Sequence, residues 1–374
     1  MRGNCRLKRQ VGLTCALIIG ETILVGNWAL AQVIPDDTLG AESSTVTPDV
    51  IQGTSGDLID GGAIRGSNLF HSFEQFSIEV GQGVYFSNPD SVDNILSRVT
   101  GSDPSNLFGT LGVLGQANLF FLNPNGILFG PDTRLDLQGS FLATTADGLV
   151  FPNGDTFSAL DPQPPSLLTV SAPLGLQYGP QPSGAIAAQG SDLSLESGQS
   201  LVLVGGTVDL DNSLLAVEEG HIELGAVAGA GTVGLEMNDE RLSLDFPDAI
   251  ERANISLTND SIISIIVVTE DGSDITITAR NLDIADSELI TSIASGFSAE
   301  GSQTGNITLN ATGAINIGQS SLIRNIIFNL FLDVIGSSGN IDGSGNINIT
   351  AEALSVTGGS KLRTRACFKT FRNR

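Results

Sequence analysis

Leu193-Ser194-Leu195, Leu201-Val202-Leu203, Val208-Asp209-Leu210, Leu215-Ala216-Val217 and Ile222-Glu223-Leu224 are apolar pairs whose members lie two residues apart. Their first members are spaced 8, 7, 7 and 7 residues apart. A spacing of two puts both side chains on one side of an extended strand, so each pair reads as a short strand with one buried face. A longer unit then recurs three times. Ile275-x-Ile277-x-Ala279 leads to Leu282-x-Ile284 and Leu289; Ile307-x-Leu309-x-Ala311 leads to Ile315-x-Ile317 and Ile323; Ile347-x-Ile349-x-Ala351 leads to Leu354-x-Val356 and Leu362. The near-heptad spacing does not make a coiled coil. Apolar partners fall at two residues rather than three or four, among Gly, Ser, Thr, Asn and β-branched residues that disfavour helix. An immunoglobulin-like sandwich is the structural alternative, but it needs longer strands and less regular turns. Three short strands per unit, joined by tight polar turns, describe one coil of a parallel β-solenoid. At about 22 residues per coil and about 4.8 Å per level, the predicted rod has roughly 15 coils and is about 70 Å long. The runs 262–268 and 326–332 read as core strands. Asn306 and Asn346 occupy equivalent Gly-Asn-Ile turns, where an amide ladder would fit, although solvated turns are the plainer reading.

Upstream, residues 117–130 place two apolar segments around Asn123-Pro124-Asn125-Gly126. Pro124 fixes its own φ and keeps Asn123 extended, while Asn125 and Gly126 tolerate the positive φ that such turns need. Alone, these four residues read as a hairpin turn. Around them stand Asn68-Leu69-Phe70-His71-Ser72-Phe73-Glu74-Gln75-Phe76, then Asn94-Ile95-Leu96-Ser97-Arg98-Val99-Thr100-Gly101, and later Gly139-Ser140-Phe141-Leu142-Ala143-Thr144-Thr145-Ala146-Asp147. In these words and this order, roughly residues 40–150 resemble the haemagglutination-activity domain of filamentous-haemagglutinin-like proteins, the N-terminal secretion (TPS) domain of the two-partner pathway.

The resemblance implies an all-β fold: a right-handed parallel β-helix, pectin-lyase-like, with an N-terminal TPS capping domain. It also implies a passenger recognised by an outer-membrane transporter with periplasmic recognition domains. Asn94, Arg98, Asn123, Pro124, Asn125, Gly126 and Ile127 match family motif positions and are expected to shape a secretion-competent cap. Phe70, Phe73 and Phe76 are expected to build its core. Family passengers are commonly longer, and the basic tail reads as an interrupted frame or a natural basic terminus.

Arg2, Arg6, Lys8 and Arg9 precede the apolar stretch 11–25, and Ala29-Leu30-Ala31 supplies the small residues of a cleavage site. This reads as a secretory signal peptide over 1–31, with cleavage near Ala31 and a secreted or cell-surface product. Cys5 and Cys15 leave with it and only Cys367 remains, so the exported core carries no disulfide, which suits passage through an oxidising periplasm unfolded. Residues 32–360 hold 40 acidic side chains against seven arginines and no lysine, a net charge of −33. Such a surface argues against nucleic acid and anionic lipid as partners.

Eleven of the seventeen Phe residues fall within 70–157, and a Pro-rich run follows at 161–165. The expected divisions are a secretion domain over 32–160, a Pro/Gly-rich transition over 161–190, β-helix repeats over 191–362 and a basic non-repeat tail over 363–374.

Catalytic patterns are sparse. His71 and His221 lie far apart, with no metal-ligand spacing and no phosphate or dinucleotide loop, so no cofactor or metal is expected. His71 reads as a packing or hydrogen-bonding residue. Acidic pairs at Glu218/Glu219, Asp209/Asp211 and Asp283/Asp286 keep open a β-helix polysaccharide lyase or hydrolase, and a structural surface-layer role is a further alternative. The favoured reading is not an enzyme: an adhesin-like passenger that meets glycans or proteins of host or neighbouring cells.

Overall fold

The structure is a computed structural model that describes residues 32–162, 169–238, 241–267, 273–295, 304–329 and 345–367. The expected signal peptide, part of the Pro-rich run, Val268, residues 330–332 and the tail after Cys367 lie outside the described residues.

The apolar pairs stack as their spacing requires. A first face runs through Asn68–Ser77, Asn94–Val99, Asn118–Leu122, Phe141–Thr144, Ser200–Gly205, His221–Ala226, Ile275–Ala279, Ile307–Ala311 and Ile347–Thr350, each parallel to the next. A second face holds Ser105–Leu107, Ile127–Phe129, Ile186–Gln189, Val208–Asp211, Ile255–Thr258, Leu282–Ala285, Ala314–Gly318 and Ala353–Val356. A third runs through Gly83–Ser87, Thr110–Leu114 and Arg134–Asp136. It continues beside them as Asp192–Leu195, Leu214–Glu218, Ile262–Val267, Glu288–Ser295, Leu322–Asn329 and Lys361–Cys367. The chain visits the faces in that order on each turn, which makes it a parallel β-helix. The three copies of the long unit pair in register: Ile275 with Ile307 with Ile347, Leu282 with Ile315 with Leu354, and Leu289 with Ile323 with Leu362.

Inward side chains from all three faces form one core from Val33 to Ile323. The core does not break at the Pro-rich run, because Phe141–Thr144 pairs directly with Leu201–Val204. Residues 145–185 and 227–254 instead leave the coil and build an antiparallel sheet from Gly148–Val150, Thr156–Ser158, Gly175–Tyr178, Gly231–Asn238 and Arg241–Asp245. This sheet covers the outer side of the first face. Phe70, Leu96, Phe120, Leu122, Val202 and Val204 form a second core with Leu149, Phe157, Leu176 and Val233. First-face strands are therefore buried on both sides, which is why Leu119–Leu122 is apolar without alternation.

Several expectations change. The 15-coil rod is replaced by nine first-face levels among the described residues, roughly 40 Å of stack. Chain is spent on excursions, and the length of a coil varies: equivalent turn residues are 22 apart at Ser191 and Ser213 but 40 apart at Asn306 and Asn346. Asn123–Gly126 is no hairpin, since Asn118–Leu122 and Ile127–Phe129 belong to different faces. The non-repeat tail begins later than expected, because Lys361–Cys367 is a third-face strand paired along its length with Leu322–Phe328. Turn stacking at Asn306 uses mixed partners: its amide donates to Asp274 Oδ1 at 3.2 Å, and its Oδ1 accepts the Asn346 N–H at 3.0 Å.

The N-terminal end is closed by antiparallel strands. Gln32–Pro35 and Ala63–Arg65 together cover the free edge of Asn68–Ser77. A hairpin of Ser44–Ile51 and Thr54–Gly61 starts the third face, with Gly56–Ile59 parallel to Gly83–Phe86. Inside this end, Phe76 meets Phe121 edge-on at 4.9 Å and Phe73 edge-on at 5.1 Å, and stacks parallel to Phe86 at 6.0 Å. Phe121→Ala should lower unfolding free energy by about 3–5 kcal/mol, because flanking rungs held by ladder bonds cannot collapse into the cavity. Urea denaturation of the purified chain measures it.

Candidate functional site

The motif residues gather at two corners of the first coils. At the corner entering the first face, Asn94 Nδ2 donates to Asn68 Oδ1 at 3.2 Å and Asn118 Nδ2 to Asn94 Oδ1 at 3.1 Å. Asn118 Oδ1 accepts the Ser140 N–H at 2.9 Å, while Asn68 Nδ2 reaches back to the Ser171 carbonyl at 2.7 Å. Three stacked amides thus tie successive rungs to the excursion after residue 162. An amide ladder exists, but here rather than at Asn306 and Asn346.

The opposite corner holds Arg98 and the Asn-Pro-Asn-Gly turn. Asn123 is fully buried; its amide donates to the Ser105 Oγ at 2.9 Å and the Asp103 carbonyl at 3.1 Å, and its Oδ1 accepts the Asn125 N–H at 3.0 Å. Asn125 Nδ2 donates to the Gly101 carbonyl at 2.7 Å, and the Pro124 carbonyl accepts the Gly184 N–H at 2.8 Å. Gly126, at φ +121°, faces the Ala185 carbonyl so closely that a Cβ would stand 3.1 Å from it; Asn125 does not take a positive φ. Ile127 is buried and starts the second-face strand. The turn therefore stitches the rung before it to the strand that returns after the excursion.

Arg98 has no exposed surface and lies in a cage. Its Nε donates to Ser72 Oγ at 2.9 Å, Nη2 to Thr38 Oγ1 at 2.9 Å and Nη1 to the Ser158 carbonyl at 2.8 Å, with the guanidinium 4.2 Å over the Phe157 ring. Its counter-charge is Asp36, reached through the same hydroxyls: Thr38 donates to Oδ1 at 2.6 Å and Ser72 to Oδ2 at 2.7 Å, joined by Thr100 at 2.6 Å. Burial pushes Arg98 down to about 10, partly offset by Asp36. Burial also raises Asp36, but hydrogen bonds from Thr100, Thr38 and Ser72 outweigh it and hold the carboxyl below its ordinary value. One knot joins the first residues after 31, two rungs and the inserted sheet. Asp36, Thr38, Ser72 and Ser158 were not singled out in the sequence; the only local signal was Asp36-x-Thr38, which forms a side-chain turn at 2.9 Å.

Phe73 and Phe76 sit in the inner core, whereas Phe70 packs outside, against Phe157 at 5.0 Å and Phe151 at 6.1 Å. Of the seven motif residues, Asn125 alone is exposed. His71 packs against Phe73 and Phe86, with Nδ1 2.9 Å from Ser44 Oγ. His221 lies elsewhere, 3.3 Å from Glu223. The acidic pairs considered for sugar chemistry stand on outer surfaces: Asp209 accepts from Ser256, Asp211 from Asn259 and Asp283 from Asn316. Among the described residues no group of three or more His, Cys, Asp and Glu side chains could hold a metal ion.

Arg98→Leu should cost about 3–5 kcal/mol, since it leaves the Asp36 carboxylate and its hydroxyls without a counter-charge, and Arg98→Lys should recover only part because it cannot fork to three partners. Urea midpoints of the three chains decide it. Burial also holds His71 down to about 3, so the folded chain keeps it neutral while the unfolded chain takes up a proton near the ordinary value. Its contribution is complete above about pH 6.5 and falls by at most about 1.4 kcal/mol per unit as pH drops from there. Denaturation at pH values on either side of that limit should show the wild type weakening more steeply than His71→Gln.

A family model described as the TPS secretion domain matches residues 31–277. The fold is similar to the HMW1 secretion domain from Haemophilus influenzae, at 16% identity and a TM-score of 0.46, covering 87% of this chain and 97% of that one. It is also similar to the filamentous hemagglutinin secretion domain, at 16% identity and a TM-score of 0.39, covering 90% of this chain and 99% of that one. No curated protein matches the chain in sequence.

Proposed function

Since the chain belongs to the TPS secretion-domain family, matched over 31–277, we propose that it is an adhesin-like passenger of a two-partner secretion system. TPS domains are recognised by partner transporters, and their family is not one of enzymes. In this reading a signal peptide delivers the chain to the periplasm, an outer-membrane transporter with periplasmic domains engages its N-terminal region, and the β-helix folds at the cell surface or in the medium. There it meets glycans or proteins of host or neighbouring cells.

The observation that carries the reading is the family match across the capped end and the coils up to Ile275–Ala279. Three features support it. No nucleotide is available at the outer membrane, so free energy released by burying one long core outside can bias movement outward. The acidic surface of residues 32–360, which hold no lysine and no cysteine, favours a soluble chain that enters a narrow pore unfolded. Ser44–Ile51, the outermost strand of its sheet, offers backbone groups for strand addition by a transporter domain.

The motif residues act by shape in this account. With six of the seven buried, a partner meets the corner they build rather than their side chains. Asn123→Ala combined with Asn125→Ala removes the bonds to Ser105, Asp103 and Gly101, and should abolish release into the medium when the transporter is co-expressed. Immunoblots of medium and periplasm measure it, and undiminished release removes the turn from the export mechanism.

A further inference from the structure

The corner from the third face into the first is recessed on four consecutive rungs and forms a groove of about 600 Å³, well away from the Arg98 knot. Its floor is finished chemistry. Asn88 Oδ1 accepts the Ala117 N–H at 2.9 Å while its amide donates to the Pro89 and Val92 carbonyls, and Asn118 belongs to the amide ladder. Gly115 keeps the wall thin, since a Cβ there would stand 2.2 Å from Asn88 Oδ1.

The rim is different. Gln116 and Gln138 occupy equivalent positions, each three residues before the paired inward residues Leu119 and Phe141, and Gln199 follows on the next rung. Asp90 and Asp93 face the same groove from the rung before. Among the described residues the side chains of Gln116, Gln138, Asp90 and Asp93 make no hydrogen bond within the chain, and Gln199 uses only its Oε1, accepting from Ser140 at 3.2 Å. The groove thus presents a column of unused amide donors and acceptors beside two carboxylate acceptors.

That set selects its ligand by exclusion as well as by fit. No lining residue is basic, so an anionic ligand gains nothing and is repelled by the carboxylates. Two carboxylates fall short of a cation cluster. A peptide needs apolar anchor pockets, and of the apolar lining residues Val92 is buried and only Pro89 and Leu114 are exposed. Hydroxyl groups suit both amides and carboxylates, and rungs about 4.8 Å apart repeat the contacts at nearly the length of one pyranose unit in an extended chain. We infer that this corner groove is a binding site for an uncharged oligosaccharide lying along the helix axis, with Gln116 and Gln138 as its central contacts.

The site shares no residue with the secretion motif except through the ladder beneath it, so its test stands apart from the export reading. The purified full chain is presented to an array of linear neutral oligosaccharides and their sialylated and sulfated counterparts, and the best neutral binder is then titrated calorimetrically. Neutral chains should bind in preference to their charged counterparts. Gln116→Ala combined with Gln138→Ala should weaken that binding by about tenfold or more, with an unchanged urea midpoint because both side chains are exposed. Asp93→Asn tests the acceptor side independently and should also weaken it, whereas Asp209→Ala on the second face should not. Absence of neutral binders, preference for charged glycans or for peptides, or undiminished binding by either groove variant overturns the assignment.

Discussion

A stack of parallel strands satisfies its backbone only between rungs, so its first edge is a row of unpaired N–H and C=O groups that must be covered before the stack is stable in water. Here two antiparallel strands lie along the edge of Asn68–Ser77 and a hairpin starts the third face. Everything downstream is registered from this end. Each rung takes its position from the one before through ladder bonds and inward pairs, and an inward residue displaced by one position would turn its whole strand inside out.

Polar side chains fix what the apolar core leaves free. A hydrophobic column tolerates sliding, whereas a buried hydrogen-bonding group without its partner costs about 1–3 kcal/mol, so ladders of such groups specify register. The amide ladder at Asn68, Asn94 and Asn118 sets one corner of the first rungs. Further along, Ser191 and Ser213 meet at 3.2 Å, Ser261 Oγ accepts the Ser213 N–H and Ser321 Oγ accepts the Ser287 N–H at another corner. The Arg98 cage differs in joining layers rather than rungs. It clamps the inserted sheet to the first face through Ser158 and Phe157, and the guanidinium tolerates burial because three acceptors and a hydroxyl-relayed carboxylate surround it.

The parts of this architecture legible in the sequence are those that repeat. Apolar residues two apart, in three groups per unit, declared the strands and their stacking partners, and Ile275, Ile307 and Ile347 pair as their spacing implied. The serine column was equally open to view, since a Ser stands two residues before each of Leu193, Leu215, Ile263, Leu289 and Ile323, yet serine at a turn carries so little weight that its period went unread. The coil count was illegible, because nothing periodic announces that 145–185 and 227–254 leave the helix. The unbroken apolar run at Leu119–Leu122 was the available sign that something covers the first face from outside. Among the motif residues, resemblance supplied Asn94, Arg98 and Asn123 and passed over Ser72 inside its first motif without a role, while Asp36 and Thr38, 62 and 60 positions from Arg98, lay outside it. A charge network assembled across such separations leaves no trace in local spacing.

The same separations bear on the order of events. Gln32–Pro35 pairs with Phe73–Ser77, the knot needs Ser158, and the Asn-Pro-Asn-Gly corner needs Gly184 and Ala185. The cap therefore cannot be complete until about the first half of the chain is present together, because its closing contacts come from the excursion and not from the rungs themselves. Rungs beyond Leu201 add differently: each pairs along its length with one level already in place, so one loop closes at a time, whereas the cap needs several distant closures together before any of them is covered. A costly start followed by easier growth is the thermodynamic form that vectorial assembly requires. In the export route proposed above, a chain threading outward would stay unstructured until enough of it had emerged to close the first rungs, after which every further rung would make its return unfavourable.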